Sequence, residues 1–527
     1  MNFIRPFALS GLFLCAAWQA KAEPAADAPE LVTVARAFDG GTAISPYLLG
    51  AQYTFFASPV KKLLNSPAIV KSWTDLPVKM VRFPGGTWAD HYIWDRPENS
   101  YFVAGATAKS VVNVDEFLDN ARKIGAEPII QVSANSKGGH VGNLNPTKLE
   151  DYKAAAKWAA GWVYDINIKK KRGVKYWEIG NEVWIWFKPE EYARLVVEYS
   201  KAMKQVDPSI KILACGLSSE VGPYSATWLN FSETDPDWKP RKDLINKADE
   251  WTQALLTIAK DHADYIAPHP YLSATKDNRD ARSKYLATTA KIDASTALRG
   301  QQEYIRKSGS KVRLALTEWV TNFGDSVPGS NSWSKDLYFY THGNGINAGY
   351  YFGRILEGAD VTDIAVIHSL EDIELLWYWP RKELASGAPV FHPIYKAMQL
   401  WGANLGTRAL LRKNEQTPQL TLEGKACPAT FTYASEDKTH VYFMAINVDP
   451  DAAHELQLKF VDAVKVQAKA RMMVLSAPSI SANNFDSWEG EKKPESAITT
   501  TEATRNAQGV WTLSLPAASM TALKISK

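Results

Sequence analysis

Two patterns of apolar residues follow one another repeatedly between residues 47 and 405. Short runs rich in β-branched and aromatic residues predict strands at residues 47–53, 78–83, 128–132, 176–179, 211–215, 265–268, 313–319 and 362–368. Stretches with helical spacing lie between them, among them residues 151–167, 189–206, 336–356 and 390–405. Strands that alternate with helices are typical of a parallel α/β fold. Because the strands number eight with none left over, the pattern predicts a closed (β/α)8 TIM barrel.

The pattern changes after about residue 407, where every second residue of several short segments is apolar. These strands are predicted at residues 419–422, 429–433, 440–447, 455–460, 469–474, 510–515 and 521–525. A period of two with regular turns indicates a C-terminal β-sandwich. Residues 23–45 are predicted to add an N-terminal strand to it. The chain therefore divides into a barrel at 46–406 and a sandwich at 407–527.

Residues 1–22 have the composition of a signal peptide. Arg5 provides a positive charge, residues 7–18 form an apolar core, and Ala20-Lys21-Ala22 supplies a small-x-small cleavage site. The apolar run is too short to span a bilayer, so no stable membrane insertion is expected. We expect the mature protein to be secreted or periplasmic. Cys215 and Cys427 then remain in different predicted domains, and no disulfide is expected between them.

Composition narrows the range of partners. Charged residues make up 22% of the 527 residues and the net charge is +3, which favours neither a nucleic-acid partner nor disorder. Aromatic residues are abundant, with 19 Trp, 22 Tyr and 19 Phe. Most of these rings will pack in the core, but some are expected to line a cleft for a polysaccharide or oligosaccharide, because ring faces stack on the apolar faces of sugars.

Two predicted barrel strands end in a carboxylate. The strand at 176–179 runs into Gly180-Asn181-Glu182, and the strand at 313–319 carries Glu318. Active sites of parallel barrels lie at the carboxyl ends of their strands, and acid–base work on a glycosidic bond needs two carboxyl groups. The interval between the two glutamates leaves room for roughly three further strand–helix units. The alternative is that both are ordinary carboxylates at strand ends.

The stretches WEIGNE (residues 177–182) and LTEW (residues 316–319) resemble the acid/base and nucleophile strands of the clan A glycoside hydrolases. Within the clan they are most similar to family 51, the α-L-arabinofuranosidase family. The resemblance implies a retaining, double-displacement reaction in which Glu182 is the acid/base and Glu318 the nucleophile. It implies carboxyl groups roughly 5–5.5 Å apart and no cofactor.

Further site residues follow from the same resemblance. Asn181 would bind the sugar 2-hydroxyl, and Tyr271 would donate a hydrogen bond to the nucleophile. His269 lies two residues before Tyr271 and could reach Glu182 or the sugar, or could equally be a core histidine. Rings proposed as sugar platforms, each also consistent with core packing, are Trp88, Trp94, Trp184, Trp186 and Trp319.

Two departures from the family pattern concern the sugar. Pro84-Gly85-Gly86 resembles the family's second-strand loop, and Thr87 after it is expected to bind substrate, but it stands where the family has Asn. Thr54 stands where the family has Glu. Both substitutions shorten the side chain. An endo-acting hydrolase of a pyranose chain, such as a glucan, xylan or galactan, therefore remains an alternative to an arabinofuranosidase. A non-catalytic carbohydrate-binding protein is the alternative of another class. No metal constellation or nucleotide fingerprint is present in the sequence.

Overall fold

The computed structural model describes residues 29–36, 40–52, 67–86, 88–97, 112–134, 149–185, 187–218, 248–272, 280–322, 338–368, 391–461, 464–484 and 495–527. The segment at 1–22, Thr54, Thr87 and Trp186 lie outside the described residues, as does the side chain of Trp88.

The central element is a closed barrel of eight parallel strands, and it confirms the predicted fold class. Closure is completed by β10 (Thr362–Ile367), which pairs with β2 (Gly50–Gln52) on one side and with β9 (Arg313–Thr321) on the other. A short ninth strand, β8, pairs with the carboxyl end of β9. The strands are β2 (Gly50–Gln52), β3 (Met80–Phe83), β4 (Glu127–Val132), β5 (Tyr176–Ile179), β6 (Lys211–Cys215), β7 (Tyr265–Ala267), β8 (Tyr271–Leu272), β9 (Arg313–Thr321) and β10 (Thr362–Ile367).

Helices surround the barrel, and their ends follow ordinary capping chemistry. Asn113 and Glu116 form a capping box at the start of one helix, which ends at Gly125 in the left-handed conformation. The described helices are α1 (Pro67–Asp75), α2 (Trp88–His91), α3 (Val114–Ile124), α4 (Leu149–Val163), α5 (Pro189–Val206), α6 (Ala248–Ile258), α7 (Ala281–Ala294), α8 (Thr296–Ser308), α9 (His342–Leu356) and α10 (Pro393–Ala403). The predicted helix at 151–167 ends in a π-helical segment, Tyr164–Lys169.

The barrel interior is divided into two layers by the pleat of its strands. One layer is a separate apolar cluster made of Met80, Ile129, Tyr176, Leu213, Ala267, Ala315, Ile364 and Val366. Two residues further along the strands the inward positions become polar, at Gln52, Arg82, Gln131, Glu178 and Thr317. We call these the apolar layer and the polar layer. The polar layer lies towards the carboxyl ends of the strands, where a barrel carries its site.

Two sheets of the C-terminal region share one core, and Gln419–Leu422 and Lys425–Pro428 pair as a separate two-stranded sheet. The first sheet has the order β12-β1-β17-β20 and the second β11-β15-β16-β21-β18-β19. Val32, Leu458 and Trp511 of the first sheet pack with Phe443 and Leu523 of the second. The strands are β1 (Glu30–Ala35), β11 (Arg408–Ala409), β12 (Leu411–Glu415), β13 (Gln419–Leu422), β14 (Lys425–Pro428), β15 (Thr430–Glu436), β16 (His440–Asn447), β17 (His454–Phe460), β18 (Lys469–Ser476), β19 (Ala497–Thr504), β20 (Val510–Leu515) and β21 (Ser519–Ser526).

Helix α9, which follows the strand of Glu318, is joined closely to this sandwich. The backbone N–H groups of His342 and Gly343 at its start donate to the carbonyl oxygens of Ala482 and Ile480, at 2.7 and 2.9 Å. A Cβ atom added at Gly349 would lie 2.5 Å from Met520 Sδ. The sandwich therefore completes both the N-terminal cap and one packing face of this helix.

Among the described residues, no helix is both long and apolar enough to cross a membrane.

Candidate active site

The chain reverses sharply where β5 ends. Gly180 has a φ of +73°, and a Cβ atom there would meet Val183 Cγ1 at 2.4 Å, so this position requires glycine. Glu182 also has a positive φ, +48°, which is uncommon for a residue with a Cβ atom. Such strain is often found at functional sites. The turn brings Asn181 and Glu182 to the carboxyl end of the barrel.

Glu318 lies on β9, and hydrogen-bond donors surround its carboxylate. Arg82 Nη1 donates to Oε1 at 2.6 Å, and the Tyr271 hydroxyl donates to Oε2. Burial opposes the charge, but the neighbouring His269 and Arg82 cations together with the Tyr271 hydrogen bond hold the pKa of Glu318 well below its usual range. Glu318 is therefore ionised at neutral pH, as a nucleophile must be.

His269 lies between the two glutamates. Its Nδ1 atom is 3.1 Å from Glu182 Oε1 and 3.7 Å from Glu318 Oε2, while Nε2 is 3.1 Å from Thr317 Oγ1. Burial lowers the pKa of His269, but Glu318, Glu178 and Glu182 outweigh burial and raise it to about 9. The ring is therefore a buried cation that bridges the pair.

The same three groups are close enough to be considered as a metal site. One ligand atom from each of Glu182, His269 and Glu318 lies within 4.8 Å of the other two. A histidine whose pKa is raised to about 9 keeps its proton at neutral pH, so a metal ion would have to displace that proton in order to bind. In the structure the three groups form an ion-pair network.

Asn181 is buried, and its side chain has a defined orientation. Its Oδ1 atom accepts hydrogen bonds from Arg82 Nη2 and from Gln131 Nε2, each at 3.0 Å. Because arginine can only donate, the oxygen of the amide must face the barrel interior. Its Nδ2 donor is then the part of the side chain that can serve a substrate.

The polar layer beneath the pair contains residues that the sequence analysis did not single out. Arg82 is fully buried and donates through Nε and Nη2 to Glu178, through Nη1 to Gln52 and Glu318, and through Nη2 to Asn181. Arg82 and Glu178 each stand as a charged residue within an otherwise apolar strand. A charge at an inward barrel position was the signal that could have identified them.

Asp90 on α2 is a further buried carboxyl group at the edge of this network. It accepts backbone N–H hydrogen bonds from Ala134 and Asn181. Burial raises the pKa of Asp90 to about 8, although those hydrogen bonds and the Arg82 cation partly offset the effect of burial. Asp90 is therefore largely neutral at neutral pH and links the ends of β4 and β5.

The prediction that Trp319 binds substrate is wrong. Its ring is fully buried, stacks on Phe352 at a centroid distance of 5.8 Å and meets Tyr351 edge-on at 6.0 Å. The register of β9 against β10 shifts between Leu316 and Trp319, and this irregularity lets both Thr317 and Glu318 face the barrel interior while Trp319 points towards α9. Trp184 is also buried, while Trp94 is partly buried and stacks on Trp162. The predicted roles of Thr87 and Trp88 fall outside the described side chains.

Comparisons with known proteins identify similar sequences. The sequence model described as "Alpha-L-arabinofuranosidase 1 domain" matches residues 72–255, a span that includes Glu182 but not Glu318. An intracellular exo-α-(1→5)-L-arabinofuranosidase of Halalkalibacterium halodurans is 26% identical over 58% of this chain, and the match spans 60% of the relative's length. A Bacillus subtilis enzyme of the same description is 23% identical over 78% of this chain and 80% of its own.

Solved structures show the same fold. A family 51 arabinofuranosidase from Xanthomonas axonopodis pv. citri superposes with a TM-score of 0.68 at 18% identity, covering 94% of this chain and 99% of that one. A family 44 xyloglucanase from Paenibacillus polymyxa superposes with a TM-score of 0.57 at 13% identity, covering 95% and 100%. A parallel barrel with glutamates at the ends of β5 and β9 is the architecture of the clan A glycoside hydrolases. Within that clan this chain resembles family 51, the α-L-arabinofuranosidases.

Proposed function

We propose that the protein is a retaining glycoside hydrolase that cleaves α-L-arabinofuranosyl bonds in polysaccharides or oligosaccharides. The observation that carries the proposal is the pair of Glu182 and Glu318, whose nearest ligand atoms lie within 4.8 Å of each other. Retaining enzymes have carboxyl groups about 5–5.5 Å apart, whereas inverting enzymes need about 6.5–9.5 Å to admit a water molecule. The close spacing supports direct attack by one carboxylate.

In the first step Glu318 attacks the anomeric carbon while Glu182 donates its proton to the departing oxygen. The bond to the leaving group breaks as the glycosyl–enzyme bond forms. Glu182, now ionised, then takes a proton from water, which attacks the same carbon and releases Glu318. Arg82 and Tyr271 hold one oxygen each of the nucleophile, so the carboxylate is oriented before substrate binds.

Two neighbours support the charge changes of this cycle. His269 Nδ1 lies 3.1 Å from Glu182 Oε1, where its positive charge stabilises the carboxylate that Glu182 becomes after proton transfer. The Asn181 Nδ2 donor is the group we assign to the sugar 2-hydroxyl, a contact that strengthens in an oxocarbenium-like transition state. A protein that only binds carbohydrate has no need of this paired arrangement.

Arabinofuranose is the best-supported sugar because the relatives at 23–26% identity are named as arabinofuranosidases. Thr54 and Thr87 favour a second candidate, an endo-acting hydrolase of pyranose chains. Each is shorter than the residue at the matching position of family 51, which would remove a sugar contact and widen the cleft. A lost hydrogen bond of this kind costs roughly 1–3 kcal/mol.

A substrate panel tests the proposal. Aryl α-L-arabinofuranoside, arabinan, arabinoxylan, xyloglucan and β-glucan are each incubated with the purified protein, and proton NMR follows the anomeric configuration of the first product. We expect release of arabinose with retained configuration. Cleavage within a pyranose backbone would select the second candidate, and an inverted product would refute the double displacement.

A kinetic test assigns the two glutamates. Glu182→Ala should slow substrates with poor leaving groups about 10²–10⁴-fold, with a much smaller effect on glycosylation by activated aryl glycosides. Added azide should restore turnover and yield a glycosyl azide of retained configuration. Equal losses on both substrates without rescue would exclude Glu182 as the acid/base.

We also propose that the protein acts outside the cytoplasm. The support is the charged, apolar and small-x-small pattern of residues 1–22, although the relatives from Halalkalibacterium halodurans and Bacillus subtilis are named as intracellular. N-terminal sequencing of protein from fractionated cells tests this. We expect Glu23 as the first residue in the exported fraction, and an intact leader in a cytoplasmic protein would contradict it.

A further inference from the structure

Glu178 is a third glutamate beneath the proposed pair, fully buried on β5. Its Oε2 accepts from Arg82 Nε at 2.5 Å, and its Oε1 accepts from Arg82 Nη2 at 3.0 Å and from Thr317 Oγ1 at 2.7 Å. His269 Nε2 lies 3.9 Å from the same Oε1. Because it is fully buried, Glu178 has no direct role in the chemistry proposed above.

Glu178 fixes the orientation of the Arg82 guanidinium. A guanidinium is planar, and a carboxylate that binds two of its nitrogens fixes the plane and its rotation. Glu178 occupies the edge formed by Nε and Nη2, so Nη1 is directed to Glu318 Oε1, 2.6 Å away. Glu178 thereby sets the direction of the donor that holds the nucleophile.

The charges of the network give Glu178 a second role. Among the described residues of this cluster, Arg82 and His269 are cations, and Glu178 and Glu318 are anions. Burial opposes the charge on Glu178, but the Arg82 and His269 cations keep the pKa of this carboxylate below its usual value. Two positive and two negative charges therefore balance in this cluster, and removing the charge of Glu178 would leave Arg82 and His269 with one buried anion fewer.

We propose that Glu178 is a positioning residue that acts through Arg82 and His269: it directs Arg82 Nη1 at the nucleophile and supplies a buried negative charge that balances the His269 cation beside Glu182. This inference rests on the proposed function where it concerns Glu182 and Glu318. The contacts with Arg82 and His269 do not depend on it.

Removing this charge has a defined consequence for proton binding. Loss of a buried negative charge makes every nearby proton easier to release, because the local potential becomes more positive. The titratable and charged groups that face Glu178 or its two partners come from several elements, and they are Arg82, Asp90, Glu182, Tyr192, Cys215, His269, Glu318 and His368. Both limbs of the pH–rate profile should therefore move to lower pH together.

The test compares two substitutions of Glu178, one that removes the negative charge and one that shortens the side chain. Glu178→Gln keeps the shape and removes the charge, and we expect kcat to fall about 10–100-fold, with both limbs of the profile moving down by roughly 0.5–1 pH unit. Glu178→Asp keeps the charge and shortens the side chain, so kcat should fall while both limbs stay in place. Circular dichroism and thermal melting establish that each variant is folded.

A second readout does not use activity. In ¹⁵N-histidine-labelled wild-type protein, the His269 ring is assigned by loss of its signals in His269→Gln and then titrated by NMR. We expect a pKa near 9, the value to which its carboxylate neighbours raise it, and a fall of about one unit in Glu178→Gln.

The outcomes distinguish the two proposals. A His269 that titrates below pH 7 in the wild type overturns the charge balance, even if neither variant folds. An unshifted profile in Glu178→Gln, or an equal shift in Glu178→Asp, also overturns the inference. A wild-type protein that cleaves no glycoside refutes the proposed function, while the NMR titration still tests the contacts of Glu178.

Discussion

The apolar and polar layers of the barrel interior lie one pleat apart on the same strands. Met80 precedes Arg82, Tyr176 precedes Glu178, and Ala315 precedes Thr317, each by two residues or about 6.6 Å of strand. The apolar layer gains stability by excluding water. The polar layer buries ions, whose desolvation can cost more than their pairing returns. The difference shows that the polar layer is arranged for chemistry and the apolar layer for support.

The largest expected effect is on catalysis by the glutamate that the polar layer supports. Glu318→Gln should lower kcat by roughly 10⁴-fold or more, because the neutral amide is a poor nucleophile. Hydrolysis of aryl arabinofuranoside is measured beside circular dichroism, with Gln457→Glu at a partly exposed position of β17 in the sandwich as the control variant. Activity within tenfold of the wild type would contradict the assignment.

A substitution in the apolar layer should lower the stability of the protein and leave kcat nearly unchanged. Leu213→Ala removes a fully buried side chain from that layer, and we expect the free energy of unfolding to fall by about 2–5 kcal/mol. The kcat of the folded protein should stay within a few-fold of the wild type. Urea unfolding and kinetics on one preparation measure both quantities. A loss of kcat comparable to that of Glu318→Gln would mean that the layers are not separable.

Two tyrosines outside the layers allow a matched comparison, because Tyr271 contacts Glu318 and Tyr265 packs against the apolar layer. Tyr271→Phe should lower kcat about 10–100-fold and move the acidic limb of the profile to higher pH. The sign follows from Glu318, whose pKa is held low partly by this hydroxyl; without the donor, Glu318 takes up a proton at higher pH. Tyr265→Phe is the matched control, because Tyr265 packs against the apolar layer. A profile shifted equally by both would contradict the role of Tyr271.

The smallest expected effect concerns stability at the edge of the polar layer. The pKa of Asp90 rises from 3.8 to about 8 on folding. Between these values the unfolded chain releases a proton that the folded protein keeps, so rising pH destabilises the fold. Asp90→Asn should remove this pH-dependent loss of stability. The free energy of unfolding should therefore rise by about 1 kcal/mol or more at pH 8, with no gain near pH 4. Denaturant titrations at both values measure it, and an equal change at both would contradict it.

The barrel could be predicted from the sequence because each strand is a short apolar run followed by a helical period. The sandwich strand β19 was missed, because most of its residues are exposed and polar, TTTEAT at its end, so no alternation marks it. Pairing with β18 creates this edge strand.

The candidate site was only partly predictable. Glu182 and Glu318 could be found from strand ends, whereas Arg82 and Glu178 are separated by 96 positions and meet only when the barrel closes. Trp319 was assigned to the wrong side because a register shift in β9 between Leu316 and Trp319 turns its ring outward, and regular alternation along the strand does not reveal such a shift. The sequence pattern identifies which strands carry charge, and closure of the barrel decides which charges meet.

The joint at the start of α9 has a consequence for engineering this chain. Ile480 and Ala482 belong to the sandwich half, yet their carbonyl groups accept hydrogen bonds from the first turn of α9, a helix of the catalytic half. A truncation after residue 406 would strip that helix of two hydrogen bonds and expose the face that Met520 covers. The sandwich is thus no detachable accessory module, and shuffling catalytic halves between relatives requires that the two halves be exchanged together.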